Sequence, residues 1–392
     1  MKDGWERKRV SEIAQHSLGK MLDKAKNKGE LKPHLRNFNV RWFDFDLSDV
    51  HEMRFTPPEA ARYTVVAGDV VVCEGGYPGR AAIWDQDESI YFQKALHRVR
   101  FHEPQRNKWF LYYLYAKDLD GTLKSHFSGT GIQHFTGEAL AKFEIPLPPL
   151  SEQQRIVGIL EEAFAAMSTA RENAEKNLRN ARALFESHLQ SVFTQRGEGW
   201  AVRAIADVAK HSLGKMLDKA KNKGEPKPYL RNFNVRWFEF DLSDVNEMGF
   251  LPQEAAKYTA VKGDVLICEG GYPGRAAIWD RDEPIYFQKA IHRVRFHEPE
   301  HGKWFLYYLY SQDRSGELKR HFSGTGIQHF TGEALARFPL PLVPLPALRR
   351  AVAKFEEFSA ETQHLESVYN RKLVALDELK ASLLHQAFSG DL

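Results

Sequence analysis

Cysteine is nearly absent from this chain: Cys73 and Cys268 are the only two among 392 residues. Two thiols cannot staple a disulfide scaffold or supply a thiolate zinc site, so a reducing, cytoplasmic setting is expected. Each lies in a strand-like apolar run, where a thiol packs as a small hydrophobe. No apolar run reaches 18 residues, which excludes a membrane-spanning helix of the usual kind. The opening Met-Lys-Asp-Gly-Trp-Glu-Arg-Lys-Arg lacks the apolar stretch of a secretory leader. Charge of one sign is not in excess either; a net +3 permits a nucleic-acid partner without demanding one. There is no phosphate-binding Gly-x-x-x-x-Gly-Lys loop, hence no nucleotide motor of that type, and no Asn/Asp-Pro-Pro-Tyr/Phe motif of amino-methyltransferases. Ser128–His134 (SGTGIQH) begins like a dinucleotide fingerprint but carries His134 where the third glycine is needed.

What is present is ordinary in bulk, with 43% apolar and 27% charged residues, and unusual in arrangement. The chain repeats itself. His16–Glu30 recurs without change at His211–Glu225, and His126–Leu140 at His321–Leu335. Gly68–Trp84 recurs at Gly263–Trp279 with Val71 and Val72 becoming Leu266 and Ile267. Residues 5–150 and 200–345 are close copies at an offset of 195, whereas 151–199 and 346–392 share a period and little else. Each repeat therefore has a head and a tail, and at this length the repeats are domains rather than solenoid units. Two near-identical heads imply a pseudo-twofold molecule that reads a target which is itself twofold.

The heads are expected to be α+β. Val70-Val71-Val72-Cys73, closed by Glu74-Gly75-Gly76, reads as a buried strand, and Tyr91–Phe101 as a strand with alternating basic residues. Trp109–Tyr115 (WFLYYLY) reads as a core helix, and Pro146-Leu147-Pro148-Pro149 as a stiff connector closing the head. The tails read as helices. Ser151-Glu152-Gln153-Gln154 has the form of a capping box, and Pro346 stands at the opening of the second tail. Apolar residues recur at Leu160, Phe164, Met167, Ala174, Leu178, Ala181, Phe185 and Val192. In the second tail they recur at Phe355, Phe358, Leu365, Tyr369, Leu373, Leu376, Leu379 and Leu383. Spacings of three and four over this length predict two rods of about 60 Å that pack as an antiparallel coiled-coil spacer. The alternative is that each stripe packs on its own head.

Basic residues cluster early in each head. Between Gly19 and Arg41 stand Lys20, Lys24, Lys26, Lys28, Lys32, Arg36 and Arg41 against Asp23 and Glu30, and the same balance holds from Gly214 to Arg236. Ammonium groups on a glycine-punctuated loop suit phosphate contact, and Asn37 and Asn39 suit base edges. Glu74–Arg80 (EGGYPGR) lets backbone approach a ligand, with Arg80 able to pair bidentately with phosphate or guanine. Gln93, Lys94, His97, Arg98 and Arg100 suit a polar strand face over DNA, and Gln133 and His134 complete the set. The copies are Lys215, Lys219, Lys221, Lys223, Arg231, Asn232, Asn234, Arg236, Arg275, Lys289, Arg293, Gln328 and His329. Asp23, Glu30 and Lys32 also fit the short pattern of a metal-dependent nuclease, one rival reading; a protein-interaction scaffold is the other.

Taken together these segments resemble the DNA-specificity subunit of Type I restriction–modification systems, over essentially the whole chain. The resemblance is carried by Leu35-Arg36-Asn37-Phe38-Asn39-Val40, by Gly68-Asp69 with Glu74-Gly75-Gly76-x-Pro78-Gly79-Arg80, and by Gln93–Arg100. The junction Ile145-Pro146-Leu147-Pro148-Pro149-Leu150-x-Glu152-Gln153-x-Arg155-Ile156-Val157 is its most specific part, and Ser382-Leu383-Leu384 with Ala387–Gly390 adds to it. It implies target-recognition domains at 1–150 and 200–345, and spacer-helix regions at 151–199 and 346–392. It implies no catalysis, metal or cofactor in this chain. Two modification subunits would use S-adenosylmethionine to methylate adenine N6, and restriction subunits would join in systems that have them; the ligand is double-stranded DNA. One departure is informative. The family generally carries two divergent recognition domains, and these heads are near copies, so the expected target is an inverted repeat. The second junction, Val343-Pro344-Leu345-Pro346-Ala347-Leu348-Arg349-Arg350, lacks the Glu-Gln pair.

Overall fold

The computed structural model describes residues 4–23, 25–195, 199–218 and 222–392. In the first head, β1 (Glu6–Arg9) leads through the one-turn α1 (Val10–Ile13) to β2 (Ala14–Leu18), β3 (Glu30–Leu35) and β4 (His51–Phe55). The short α2 (Ala60–Tyr63) precedes β5 (Thr64–Val65), β6 (Val70–Cys73), β7 (Ala81–Ile83), β8 (Ile90–Phe92) and β9 (Leu96–Phe101). Then come α3 (Arg106–Leu119), α4 (Gly137–Lys142), β10 (Glu144–Leu147) and the long α5 (Leu150–Thr194). The second head repeats the sheets strand for strand, and a second long helix, Leu345–Ser389, follows it.

Two four-stranded sheets make the head. One is antiparallel in the order β2-β9-β6-β7, the other runs β4-β3-β8-β5 with β3 and β8 parallel. The first lies in the middle. On one face Val70, Val72, Val99 and Phe101 pack against Trp109, Phe110, Leu111 and Leu114 of α3. On the other, Val71, Cys73 and Leu96 pack against Leu35, Val65, Ile90 and Phe92 of the second sheet. Coverage of both faces explains why β6 is apolar at every position instead of alternating. It also explains why α3 carries apolar residues all round at Trp109–Leu111: Trp109 meets Phe388, and Tyr112 meets Phe164, with ring centroids 4.8 and 5.5 Å apart.

Four local expectations are corrected. Tyr91–Phe101 is two strands, broken at Gln93–Ala95, where Ala95 takes φ 97°. Pro146 is not in a connector: it sits in β10, which pairs antiparallel with β1, an edge ribbon where a missing N–H is tolerated, and its carbonyl accepts Trp109 Nε1 at 2.7 Å. The capping box at Ser151 does not form. The helix starts one residue earlier, the amides of Glu152 and Gln153 donate to Pro149 O, and the Gln153 carboxamide donates to Pro148 O at 2.8 Å. Leu379 is exposed, because near its end the second long helix turns Leu384 and Ala387 into the first head's core.

The chain forms two compact units, one running up to Ala174 with Asn370–Leu392, the other Glu175–Tyr369. In the first, the start of α5 and the end of the second long helix run antiparallel: Arg155 donates to Leu392 O at 2.7 Å and Arg171 pairs with Asp377. Phe164 and Phe388 both enter the head. In the second, the end of α5 runs antiparallel to the start of the second long helix. Arg182 pairs with Glu366 at 2.5 Å, and Phe193 meets Trp304 and Phe355. Each head is thus completed by its own helix's first turns and by the last turns of the other repeat's helix. No described helix is long and apolar enough to cross a membrane.

Candidate nucleic-acid interface

Strands β6, β7 and β9 share one end, and three loops meet there. The first loop, 36–41, follows β3; the second, 74–80, joins β6 to β7; the third, 128–134, precedes α4. Asn37 ties the first two together. Its Nδ2 donates to Gly75 O at 3.1 Å, and its own carbonyl accepts Arg80 Nη2 at 2.9 Å. The third loop is closed by paired amide–carbonyl bonds between Ser128 and His134 at 2.9 and 2.8 Å. It is docked by Phe135 N donating to Glu74 O at 2.7 Å. Two glycines make the approach possible. A Cβ on Gly76, at φ 78°, would lie 2.1 Å from Asn37 Nδ2, and one on Gly75 would lie 3.0 Å from His134 Nδ1.

Arg80 is half-buried and lies over the Tyr77 ring at 4.1 Å, which fixes its plane, with its Nη2 given to Asn37 O. A flat guanidinium held this way suits a phosphate or a purine edge. Lys94 stands exposed on the turn whose next residue, Ala95, holds Glu74 N at 2.8 Å. A non-glycine residue at positive φ is strained, and such strain gathers at binding surfaces. Gln133 is exposed and His134 half-buried against Gly75. The Cys73 thiol beneath is pushed by burial up to about 12, so it serves as packing, not as a nucleophile.

The second head repeats this site. Asn232 Nδ2 donates to Gly270 O at 3.2 Å, Arg275 Nη2 to Asn232 O at 2.9 Å, and Arg275 lies 4.0 Å over Tyr272. Lys289 and Gln328 are exposed and His329 stands against Gly270. Positive φ recurs at Ala290.

Several expected contacts prove internal. Lys20 is buried and pairs with Glu59 at 2.6 Å, as Lys215 does with Glu254. Asn39 is buried; its Nδ2 donates to the carbonyls of Asp46 and Asp49 and its Oδ1 accepts the Arg36 amide, and Asn234 does the same. Arg98 donates to Thr64 O at 2.6 Å and Arg293 to Thr259 O at 2.6 Å, both between the two sheets. His97 and His292 face the opposite side of their strands, buried against Phe135 O and Phe330 O. Burial pushes both imidazoles down to about 4. Arg100 holds the buried Asp69 carboxylate with two bonds of 2.6 Å. There is therefore no open basic strand face: β9 is central, alternation sends His97 and Arg98 into two buried layers, and the half-exposed Arg100 is spent on Asp69. Arg36 is tied to Asp49, and Arg41 to Phe38 O and Asp46, as are Arg231 and Arg236 to Asp244 and Asp241.

Of the lysine loop, Lys28 and Lys223 are exposed, and Lys26 pairs loosely with Asp23 at 3.7 Å. Lys24, Lys219 and Lys221 lie outside the described residues. The nuclease pattern is dispersed. Asp23 caps the turn at Ala25 and Lys26, and Glu30 is paired with Lys32 at 2.8 Å, which lowers the Glu30 carboxyl. Among the described residues no acidic or histidine cluster could hold a metal. Sequence reasoning overlooked two exposed aromatic residues at the site, Phe38 and Tyr77. The signal for Phe38 was a lone aromatic between two asparagines.

The family profile described as the Type I restriction modification DNA specificity domain matches residues 2–177 and again 197–373. The chain belongs to this DNA-specificity family. It carries the family's DNA specificity domain twice. It is similar to the Type I restriction enzyme MjaVIII specificity subunit of Methanocaldococcus jannaschii, 25% identical over 313 residues, which cover 74% of this chain and 72% of that protein. It is also similar to the EcoBI specificity subunit of Escherichia coli, 22% identical over 370 residues, 84% of this chain and 75% of that one. In fold it matches a chain from a solved type I R-M assembly at TM-score 0.80, with 19% identity over 100% of this chain and 99% of the other. It matches the HsdS subunit of Thermoanaerobacter tengcongensis at TM-score 0.64, with 20% identity over 100% and 98%.

Proposed function

We propose that this specificity subunit reads a bipartite inverted repeat, each head contacting one of two matching half-sites across a nonspecific gap. The observation that carries the reading is the duplication of the three-loop site, with Asn37, Tyr77, Arg80, Lys94, Gln133 and His134 matched by Asn232, Tyr272, Arg275, Lys289, Gln328 and His329. Equal side chains in equal frames select equal bases. The recognition domains are 1–150 and 200–345, and the helix regions 151–199 and 346–392 set the gap. The subunit itself catalyses nothing. It docks two modification subunits, which bind S-adenosylmethionine and methylate adenine N6 in the cytoplasm, and restriction subunits where the system has them. Phosphate contacts from Lys28, Lys94 and their copies make binding fall steeply with salt.

The test is the N6-methyladenine map of host DNA with and without the gene. Loss of methylation at one bipartite inverted repeat is the expected result. Loss at an asymmetric motif would retain the specificity role and overturn the equality of the heads. An unchanged map in a host that expresses the modification subunit would overturn the role.

A further inference from the structure

The polar side chains of loop 36–41 are each engaged within the head. Arg36 is tied to Asp49, Asn37 to Gly75 and Arg80, Asn39 to Asp46 and Asp49, and Arg41 to Phe38 O and Asp46. What the loop does offer is a ring. Phe38 is 62% exposed, and Phe233 is 62% exposed in the copy. Val40, the apolar residue two further on, is fully buried. The loop thus inverts the usual preference, anchoring its polar side chains and holding a large apolar one in water, in both heads. The ring stands one residue from Asn37, the residue that positions Arg80. It thus stands in water beside the residue whose carbonyl holds Arg80.

A phenyl ring gains nothing from phosphate or sugar oxygens. On DNA its favourable partners are base faces, reached by unstacking a step. We propose that Phe38 and Phe233 are wedges that insert at one base step in each half-site, so that part of the target is selected by how readily that step opens. The proposal rests on the reading that this face of the head contacts DNA. The ring has two χ angles and a loop closed by side-chain bonds, so little freedom remains to be lost on insertion. Readout of this kind favours a pyrimidine–purine step, which unstacks most easily.

The experiment uses the full chain with its modification subunits and the duplex target found by methylation mapping. Phe38→Ala with Phe233→Ala is compared with the wild type on the intact target and on duplexes carrying one abasic site per half-site, moved along the half-site. The rings are exposed and make none of the loop's closing bonds, so the variant keeps its fold; Phe38→Leu with Phe233→Leu, which retains an apolar wedge, serves as control. The expected result is about ten- to hundredfold weaker binding of the alanine variant to intact target. At one abasic position other than the methylated adenine, the gap to wild type should narrow to less than about threefold, because a step already unstacked no longer needs a wedge. Equal binding to intact DNA overturns the proposal. A loss that no abasic position relieves also overturns it, leaving a contact without insertion. A wild-type complex that fails to distinguish target from scrambled duplex overturns instead the reading of this face as the DNA surface.

Discussion

The two heads keep the same geometry where they form the three-loop site and diverge one sheet away. The Arg80-to-Asn37 and Arg275-to-Asn232 bonds are both 2.9 Å. On the β3–β4 hairpin, by contrast, His34, His51, Arg54 and Thr56 face Tyr229, Asn246, Gly249 and Leu251 in the copy. The hairpin tolerates this because its buried polar contacts use backbone. Lys20 Nζ donates to Arg54 O at 2.9 Å, and Lys215 Nζ to Gly249 O at the same distance, although one partner is an arginine and the other a glycine. A carbonyl is indifferent to the side chain it carries. At the site, Asn37, Gly75 and Gly76 have no such freedom, since side-chain atoms and missing Cβ atoms are themselves the contacts.

That contrast can be broken or sharpened by measurement. The largest effect is expected at Asp69, buried and bonded twice by Arg100, and at its copy Asp264 with Arg295. Asp69→Ala strands the guanidinium and frees the Val66 amide, costing about 3 kcal/mol. Asp264→Ala should cost the same within about 1 kcal/mol by chemical denaturation; a larger gap would mean that the head cores are not equivalent.

Next is acid. His97, His292 and His34 titrate near 6.5 in an unfolded chain and are pushed by burial to about 4 in the heads. Between those values the unfolded state binds more protons, so stability falls as pH drops from about 6.5 toward 4. By pH 5 each such histidine removes about 2 kcal/mol. His97 and His292 act alike in both heads, but His34 has Tyr229 as its counterpart. His34→Tyr should therefore remove about 2 kcal/mol of the loss between pH 7 and 5. An unchanged pH dependence of Tm would show that the His34 ring is not held neutral.

Smaller still is the single Arg80→Ala, expected to weaken target binding about tenfold while relaxing the methylation motif in one half only. Relaxation in both halves would refute one head per half-site. The smallest change is Gln153→Leu, which installs the second junction's Leu348 in the first. It removes a buried carboxamide whose Oε1 has no hydrogen-bond partner, and stability should shift by less than about 1 kcal/mol. A loss of several kcal/mol would show that the Gln153–Pro148 bond locks the junction.

Sequence alone determined the repeat, the strand at Val70–Cys73, the core helix around Trp109, both tail helices and the family, since all of these are written in local period or in literal self-similarity. It also named Arg80 and Asn37 as candidates, because a glycine-rich turn ending in arginine has few uses. Only the tertiary structure decided which polar residues are free. Lys20, Asn39 and Arg98 look like surface groups in a linear reading. Whether they reach solvent depends on Glu59, Asp49 and Thr64, partners up to 39 residues distant. The same holds for Phe38 in reverse: nothing local distinguishes a core ring from one held in water, until its loop's polar bonds are known. It holds also for the helix ends, where Phe193 and Phe388 align in the repeat yet each completes the head of the other repeat. Periodicity fixes which face of an element is apolar. What covers that face is set by the packing of segments far apart in the chain.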